Sequence, residues 1–218
     1  MTLIYSSDPL FQHTLVRVIR RYQFTSAPIQ PPKDPNGWTG LPVLFDEVFT
    51  GLYRLGRFSS ASFLQCHPDI SVHAKLLTGG LLPLSATCAS NSIFDAFWGD
   101  EKSDALLHGH SYTAHPIGCH IANKSLYEMQ VLSQGGVWKS YQRNWQRGDT
   151  ANLRIGKFAF YGNEIGIWSM WCKNAVLQLS NHPRVESVVA LGSVLAVSLT
   201  DRAGSGNSSL LIHELIAR

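Results

Sequence analysis

The chain has 218 residues, 44% apolar and 15% charged, a balance of globular rather than disordered proteins. Its net charge is only +3 and no basic run exceeds Arg20-Arg21, so it carries no footprint for nucleic acid. No apolar run reaches the roughly 18 residues of a membrane span, and MTLIYSSDPLF at the N-terminus has neither the basic nor the apolar region of a signal peptide.

The length suits one large domain or two small ones. Thr2–Tyr5 reads as a short strand. Asp8 as N-cap and Pro9 in the first helical position open an amphipathic helix over Pro9–Tyr22. Its packing face is predicted to be Leu10, Phe11, Leu15, Val18, Ile19 and Tyr22, with Arg17, Arg20 and Arg21 complementing the dipole near its end. Four of the ten prolines fall between Pro28 and Pro35, so 24–40 is a surface loop or insertion. Its PIQPP also has the composition of a polyproline ligand, although an insertion without function is the simpler reading.

Leu41–Phe45 and Ile70–Ala74 are apolar runs that suit buried parallel strands, and each ends in one charged residue, Asp46 and Lys75. In open α/β sheets ligands sit outside the carboxyl ends of such strands, which directs one carboxylate and one amine to the same crevice. Thr50-Gly51 and Leu55-Gly56 are turn signals, and Arg54 and Arg57 meet acids or water there. Glu47 receives no role. Ser59–Cys66 is a short helix and His67-Pro68-Asp69 a turn. Lys75 has apolar neighbours on both sides, a setting that suits an amine acting as nucleophile and base. Thr78-Gly79-Gly80 permits a tight backbone turn behind it.

Leu82–Ala89 reads as a strand and Ser92–Trp98 as a helix capped by Asn91. LLHGHSYTAHP over 106–116 carries His108, His110 and His115, followed by Cys119 and His120; the density suggests zinc, but the spacing matches no standard zinc pattern. Pro116–Leu132 is a helix broken by Gly135-Gly136. Val137–Lys157 shows little periodicity; Trp138, Tyr141 and Trp145 read as packing residues ahead of a base-stacking platform. Ile165–Leu179 is predicted helical, and VESVVALGSVLAVSL forms two strands around Gly192 or one bent strand. Asp201–Ser208 is a loop, and Ser209–Arg218 starts a helix. Cys66, Cys88, Cys119 and Cys172 form no C-x-x-C pair, which favours reduced thiols in an intracellular protein.

A lysine and a carboxylate at neighbouring strand ends are what a pyridoxal 5'-phosphate (PLP) enzyme needs. The amine condenses with the cofactor aldehyde, and the acid keeps the pyridine nitrogen protonated so that the ring accepts electrons. DEVFTGLYRLGR, PDISVHAKLLTGG and LLHGHSYTAHPIGC, in that order, resemble the class III aminotransferases of the PLP fold type I group. Within that family they are most similar to the transaminases of biotin synthesis, which in eukaryotes are often fused behind dethiobiotin synthetase. The resemblance runs from about Asp8 to about Asp201.

The resemblance implies an α/β fold, part of the three-layer αβα large domain of that fold type plus part of a small α+β domain. Residues 1–115 would be the C-terminal part of the PLP-binding domain, with 24–40 as an insertion, and 116–218 a linker helix and an incomplete small domain. It implies PLP as cofactor, Lys75 as the catalytic residue and Asp46 as the pyridinium partner. His110 and Ser111 would reach the cofactor phosphate of the other subunit of a homodimer, and Gly109 would lie beside the substrate. Ser111 stands where the family motif has threonine and keeps the hydroxyl. The implied reaction turns 8-amino-7-oxononanoate into 7,8-diaminononanoate, usually with S-adenosylmethionine as amino donor, in a mitochondrial enzyme. Another class III aminotransferase, of ω-amino acid or ornithine type, and a non-catalytic truncated remnant are the alternatives. The family's upstream phosphate-binding turn, its ring-stacking aromatic residue and its downstream substrate arginine have no counterpart here, so the chain reads as a fragment.

Overall fold

The computed structural model describes residues 9–22, 40–107, 109–146, 158–160 and 163–200. It divides into two units, 1–133 and 134–218. The predicted strand Thr2–Tyr5, the Asp8 cap, nearly all of the Pro-rich stretch and everything predicted beyond Thr200 lie outside the described residues.

In the first unit, α1 (Pro9–Arg21) begins at the predicted proline and ends in Arg20 and Arg21. Its buried face is not the predicted one. His13 and Val16 are buried, while Leu10, Phe11, Leu15, Val18 and Tyr22 are exposed. Polar anchors choose that face. The His13 ring Nδ1 lies 2.7 Å from the Leu64 carbonyl oxygen, and Arg20 donates to Asp69 Oδ2 at 3.2 Å and to the His67 carbonyl. Asp69 is itself buried and accepts a 2.7 Å hydrogen bond from the Val43 N–H.

Three strands make one small sheet in the order β1 (Leu44–Asp46), β2 (Ile70–His73), β3 (Ala86–Ala89). β1 and β2 are parallel as predicted, with Leu44 opposite Ile70 and Asp46 opposite Val72. β3 runs antiparallel to β2, pairing Ala86 with His73. The expected burial is not reached: Leu44 and Asp46 are exposed and all of β2 is half-buried. A three-stranded sheet has two edges and only one central strand, so few of its side chains can be enclosed.

The core of this unit lies beyond the strand ends instead. Leu52, Leu77 and Ala122 are buried together, flanked by Leu76, Leu84, Leu126 and Met129. Ala122, Leu126 and Met129 belong to α4 (Pro116–Gln134), which begins at Pro116 as predicted. Two further short helices, α2 (Ala61–Leu64) and α3 (Asn91–Ala96), complete the unit. Ser90, not Asn91, occupies the N-cap position of α3.

In the second unit, α5 (Gly136–Gln146) occupies a stretch the sequence left unspecified. Trp138, Tyr141 and Trp145 nevertheless recur at helical spacing, and all three pack against Trp168 and Val176. The Trp138 and Trp168 rings meet edge to face, with centroids 5.0 Å apart. β4 (Phe158–Phe160) and β5 (Asn163–Ile165) pair antiparallel. The long helix predicted over Ile165–Leu179 is reduced to α6 (Lys173–Ser180). Its first half is held as extended backbone. Gly192 accepts from the Met170 N–H at 2.8 Å and donates to the Trp168 carbonyl at 2.9 Å, while the Ser169 hydroxyl, fully buried, donates to Gly192 O. β6 (Val185–Leu191) and β7 (Val194–Leu199) form the predicted pair of strands, turning at Gly192.

No described helix is long and apolar enough to cross a membrane. All four cysteines are free thiols, with Cys66 the least exposed. Burial pushes the Cys66 thiol up from its ordinary value, opposed in part by Arg20. Because the thiolate is the reacting form, Cys66 will be alkylated by iodoacetamide near neutral pH more slowly than Cys88, Cys119 or Cys172, as peptide mass will show. Trp168→Ala removes the ring at the centre of the second unit and should cost about 3–5 kcal/mol, read as a shift of the urea midpoint of that unit's tryptophan fluorescence.

Candidate active site

β1 and β2 run in the same direction side by side, so their carboxyl ends open on one edge of the sheet. Asp46 is the last residue of β1, and Lys75 follows β2 by two residues. The predicted pair therefore stands at neighbouring strand ends. Both side chains are exposed. Asp46 Oδ1 accepts a 3.0 Å hydrogen bond from the Val48 N–H. Among the described residues Asp46 has no cationic partner and Lys75 no carboxylate; the Lys75 ammonium lies 5.4 Å from the centre of the Phe49 ring.

The apolar neighbours that the sequence places on both sides of Lys75 leave its amine exposed. They anchor its backbone. Leu77 and Thr78 are buried, the Ser125 hydroxyl of α4 donates to the Leu76 carbonyl at 2.9 Å, and Thr78 Oγ1 donates to Leu82 O at 2.6 Å. Lys75 itself adopts φ +50° at the start of a one-turn 3-10 helix, Lys75–Leu77. A left-handed backbone at a non-glycine residue costs about 1–3 kcal/mol and is kept only where its surroundings hold it.

Glu47, to which the sequence assigned nothing, is the most deeply buried charged residue described, with 2% of its surface exposed. Its carboxylate accepts from the Ser59 hydroxyl at 2.5 Å and the Ser60 N–H at 2.9 Å. Its own N–H donates to Val72 O at 2.9 Å, and its carbonyl accepts from the Gly51 N–H at 3.0 Å. Glu47 thus closes the turn from 47 to 60 on itself and on β2. Gly51 is required there, because a Cβ would stand 2.9 Å from both Glu47 O and His73 Nδ1. The available sequence signal was a second acid directly after a strand-end acid, followed twelve residues later by a hydroxyl pair.

Gly109, His110 and Ser111 lie in an exposed loop before α4. His110 shapes that loop: its N–H donates to Thr113 Oγ1 at 3.0 Å, and its ring Nδ1 accepts from the Tyr112 N–H at 3.1 Å. Ser111 keeps its hydroxyl and its N–H unengaged among the described residues. Among the described residues no hydrogen bond or ion pair joins this loop to Asp46 or Lys75. Among the described residues no three His, Cys, Asp or Glu side chains are placed to hold a metal ion, and His108 is not among them.

A cleft of about 670 Å³ opens elsewhere, lined by Arg57, Ser59, Asp69, Ser71, His73 and Cys88 among others. Ser71 and His73 point to one face of the sheet, whereas Asp46 pairs with Val72 between them and belongs to the other. The cleft holds neither predicted residue, so the cavity does not mark the chemistry.

The parallel pair β1–β2, the antiparallel β3 and the helices around them make a mixed α/β fold that agrees with part of the large domain of a fold type I PLP transferase. The fold agrees with solved structures, among them an (S)-enantioselective omega-transaminase from Thermomicrobium roseum, with a TM-score of 0.53 at 23% identity over 73% of this chain and 29% of that one. Residues 39–146 match the family described as Aminotransferase class-III. The chain belongs to that family, whose cofactor is PLP.

Among curated relatives, the bifunctional dethiobiotin synthetase/adenosylmethionine-8-amino-7-oxononanoate aminotransferase of Emericella nidulans is 49% identical over 97% of this chain and 26% of its own length. The mitochondrial bifunctional dethiobiotin synthetase/7,8-diamino-pelargonic acid aminotransferase of Oryza sativa is 38% identical over 96% of this chain and 21% of its own. The chain thus spans about a quarter of the length of the curated relatives it matches.

Replacing Glu47 by Gln removes the charge from two buried hydrogen bonds and should destabilise the first unit by about 1–3 kcal/mol. Urea titration of the variant against the parent chain checks this.

Proposed function

We propose that this chain carries the lysine-bearing part of a class III aminotransferase that forms 7,8-diaminononanoate from 8-amino-7-oxononanoate, with S-adenosylmethionine as amino donor. The observation that carries the reading is the pair at the carboxyl edge of β1 and β2: among the described residues Asp46 meets no cation and Lys75 no anion, on strands in register. Charged side chains that find no protein partner are suited to a partner from outside, and this donor set fits PLP, which offers an aldehyde to an amine and a ring nitrogen to an acid. The choice of substrate is supported by the three fused relatives, 49%, 38% and 37% identical over nearly the whole chain.

PLP, when bound, supplies an electron sink for the charge left on the donor carbon once its proton is removed. Lys75 Nζ would hold the aldehyde end of the cofactor and would serve as the base that moves a proton at the donor carbon. The Asp46 carboxylate would hold the ring nitrogen in its protonated form. The Ser111 hydroxyl and N–H, both unengaged among the described residues, would bind the cofactor phosphate across a homodimer interface, with His110 fixing the turn that presents them and Gly109 leaving room for substrate. The boundary between large and small domains falls at 115/116 in this reading. Fusion to a dethiobiotin synthetase and a mitochondrial location are proposed from the relatives whose names carry them.

The chain is incubated with PLP, reduced with borohydride, and digested to locate the label by mass. Label concentrated on Lys75 is expected, lost in Lys75→Ala and about ten- to a hundredfold weaker in Asp46→Ala, the equivalent of one charge-assisted hydrogen bond. Label spread over surface lysines, or retained in Lys75→Ala, overturns the reading. Formation of 7,8-diaminononanoate, compared with turnover of β-alanine or ornithine, then decides the substrate.

A further inference from the structure

We propose that Phe49 is a positioning residue for the Lys75 amine, an inference that rests on the reading of Lys75 above. The lysine side chain has four rotatable bonds and, at this exposed strand end, no hydrogen bond or ion pair among the described residues to select one arrangement. The ammonium lies over the face of the Phe49 ring, 5.4 Å from its centroid, within the range in which a ring quadrupole attracts a cation. The ring is not there by chance of a mobile loop. Phe49 sits three residues after Asp46, in the turn that Glu47 fastens to Ser59, Ser60 and β2, and the Arg54 guanidinium lies 5.4 Å from the same centroid. The turn is closed further by Leu52 donating to Phe58 O at 2.7 Å and Tyr53 to Arg57 O at 3.0 Å.

The acid that ends β1 and the ring three residues after it therefore sit on one fastened turn, and the ring holds the amine of the neighbouring strand against that turn. A near-attack arrangement of amine and aldehyde gains from this, because less conformational freedom remains to be lost when the two react. Glu47 contributes through the backbone it holds rather than by touching the amine.

The test uses the full 218-residue chain as the parent, Phe49→Leu and Phe49→Tyr. Phe49 is 37% exposed, so both substitutions are accommodated without opening a cavity. Each protein is labelled at Lys75 in two ways, with PLP and borohydride and with formaldehyde and borohydride, and both products are quantified by peptide mass. The methyl label reports how reachable the amine is. The ratio of PLP label to methyl label reports how well it is placed.

The ratio is expected to fall about 2–5-fold in Phe49→Leu, which keeps apolar bulk without a π face, and to stay near the parent value in Phe49→Tyr. A ratio unchanged in Phe49→Leu, or lowered equally in both variants, overturns the proposal. PLP label missing from Lys75 in the parent overturns this proposal and the functional reading together. Label on Lys75 with a flat ratio overturns only the role of Phe49.

Discussion

The parallel register of β1 on β2 is the constraint from which the rest of the site follows. It places Asp46 opposite Val72 and lets the next residue, Glu47, continue the ladder with its N–H on Val72 O. Two strands that run the same way finish on the same side, so residues 29 positions apart in sequence, Asp46 and Lys75, can serve one ligand. Antiparallel pairing would have sent them to opposite ends, as it does for the first residues of β2 and β3.

Each half of the pair is supported by a different kind of force. On the acid side the support is polar. The Glu47 carboxylate takes two hydrogen bonds inside the turn and Gly51 permits the close approach the turn requires. On the lysine side the support is apolar, with Leu77 buried against Leu52 and Ala122 of α4. Leu52 belongs to the acid's turn and Leu77 to the lysine's, so this small cluster also joins the two supports.

Much of this was legible in the chain. Two short apolar runs closed by single charges marked the parallel strands and the positions of Asp46 and Lys75 at their ends, and proline positions marked the starts of α1 and α4, because proline fits the first helical turn. What escaped the sequence has physical causes. The face of α1 was misread because His13 and Arg20 each find a specific oxygen, which outweighs the stripe of Leu10, Phe11, Leu15 and Val18 that is left exposed. The long helix over Ile165–Leu179 gave way because Gly192 exchanges backbone hydrogen bonds with Trp168 and Met170 from 22 or more residues away, a pairing no local window contains. The helix α5 was missed for the opposite reason: its aromatic spacing was helical, but its polar residues obscured the period. Glu47 was readable only as a second acid, since burial of a carboxylate depends on donors brought from Ser59 and Ser60.

The left-handed backbone at Lys75 has a consequence for how the amine is aimed. A residue held at φ +50° would move to an ordinary extended conformation if released, and the side chain would swing with it. What prevents release is the insertion of Leu77 beneath α4 and the grip of Ser125 on the Leu76 carbonyl. The aim of the amine is thus set by a helix some fifty residues downstream, which acts as a latch on a sprung hinge. Any change that loosens α4 would leave every atom of the lysine present and yet change where its amine stands relative to the Phe49 ring.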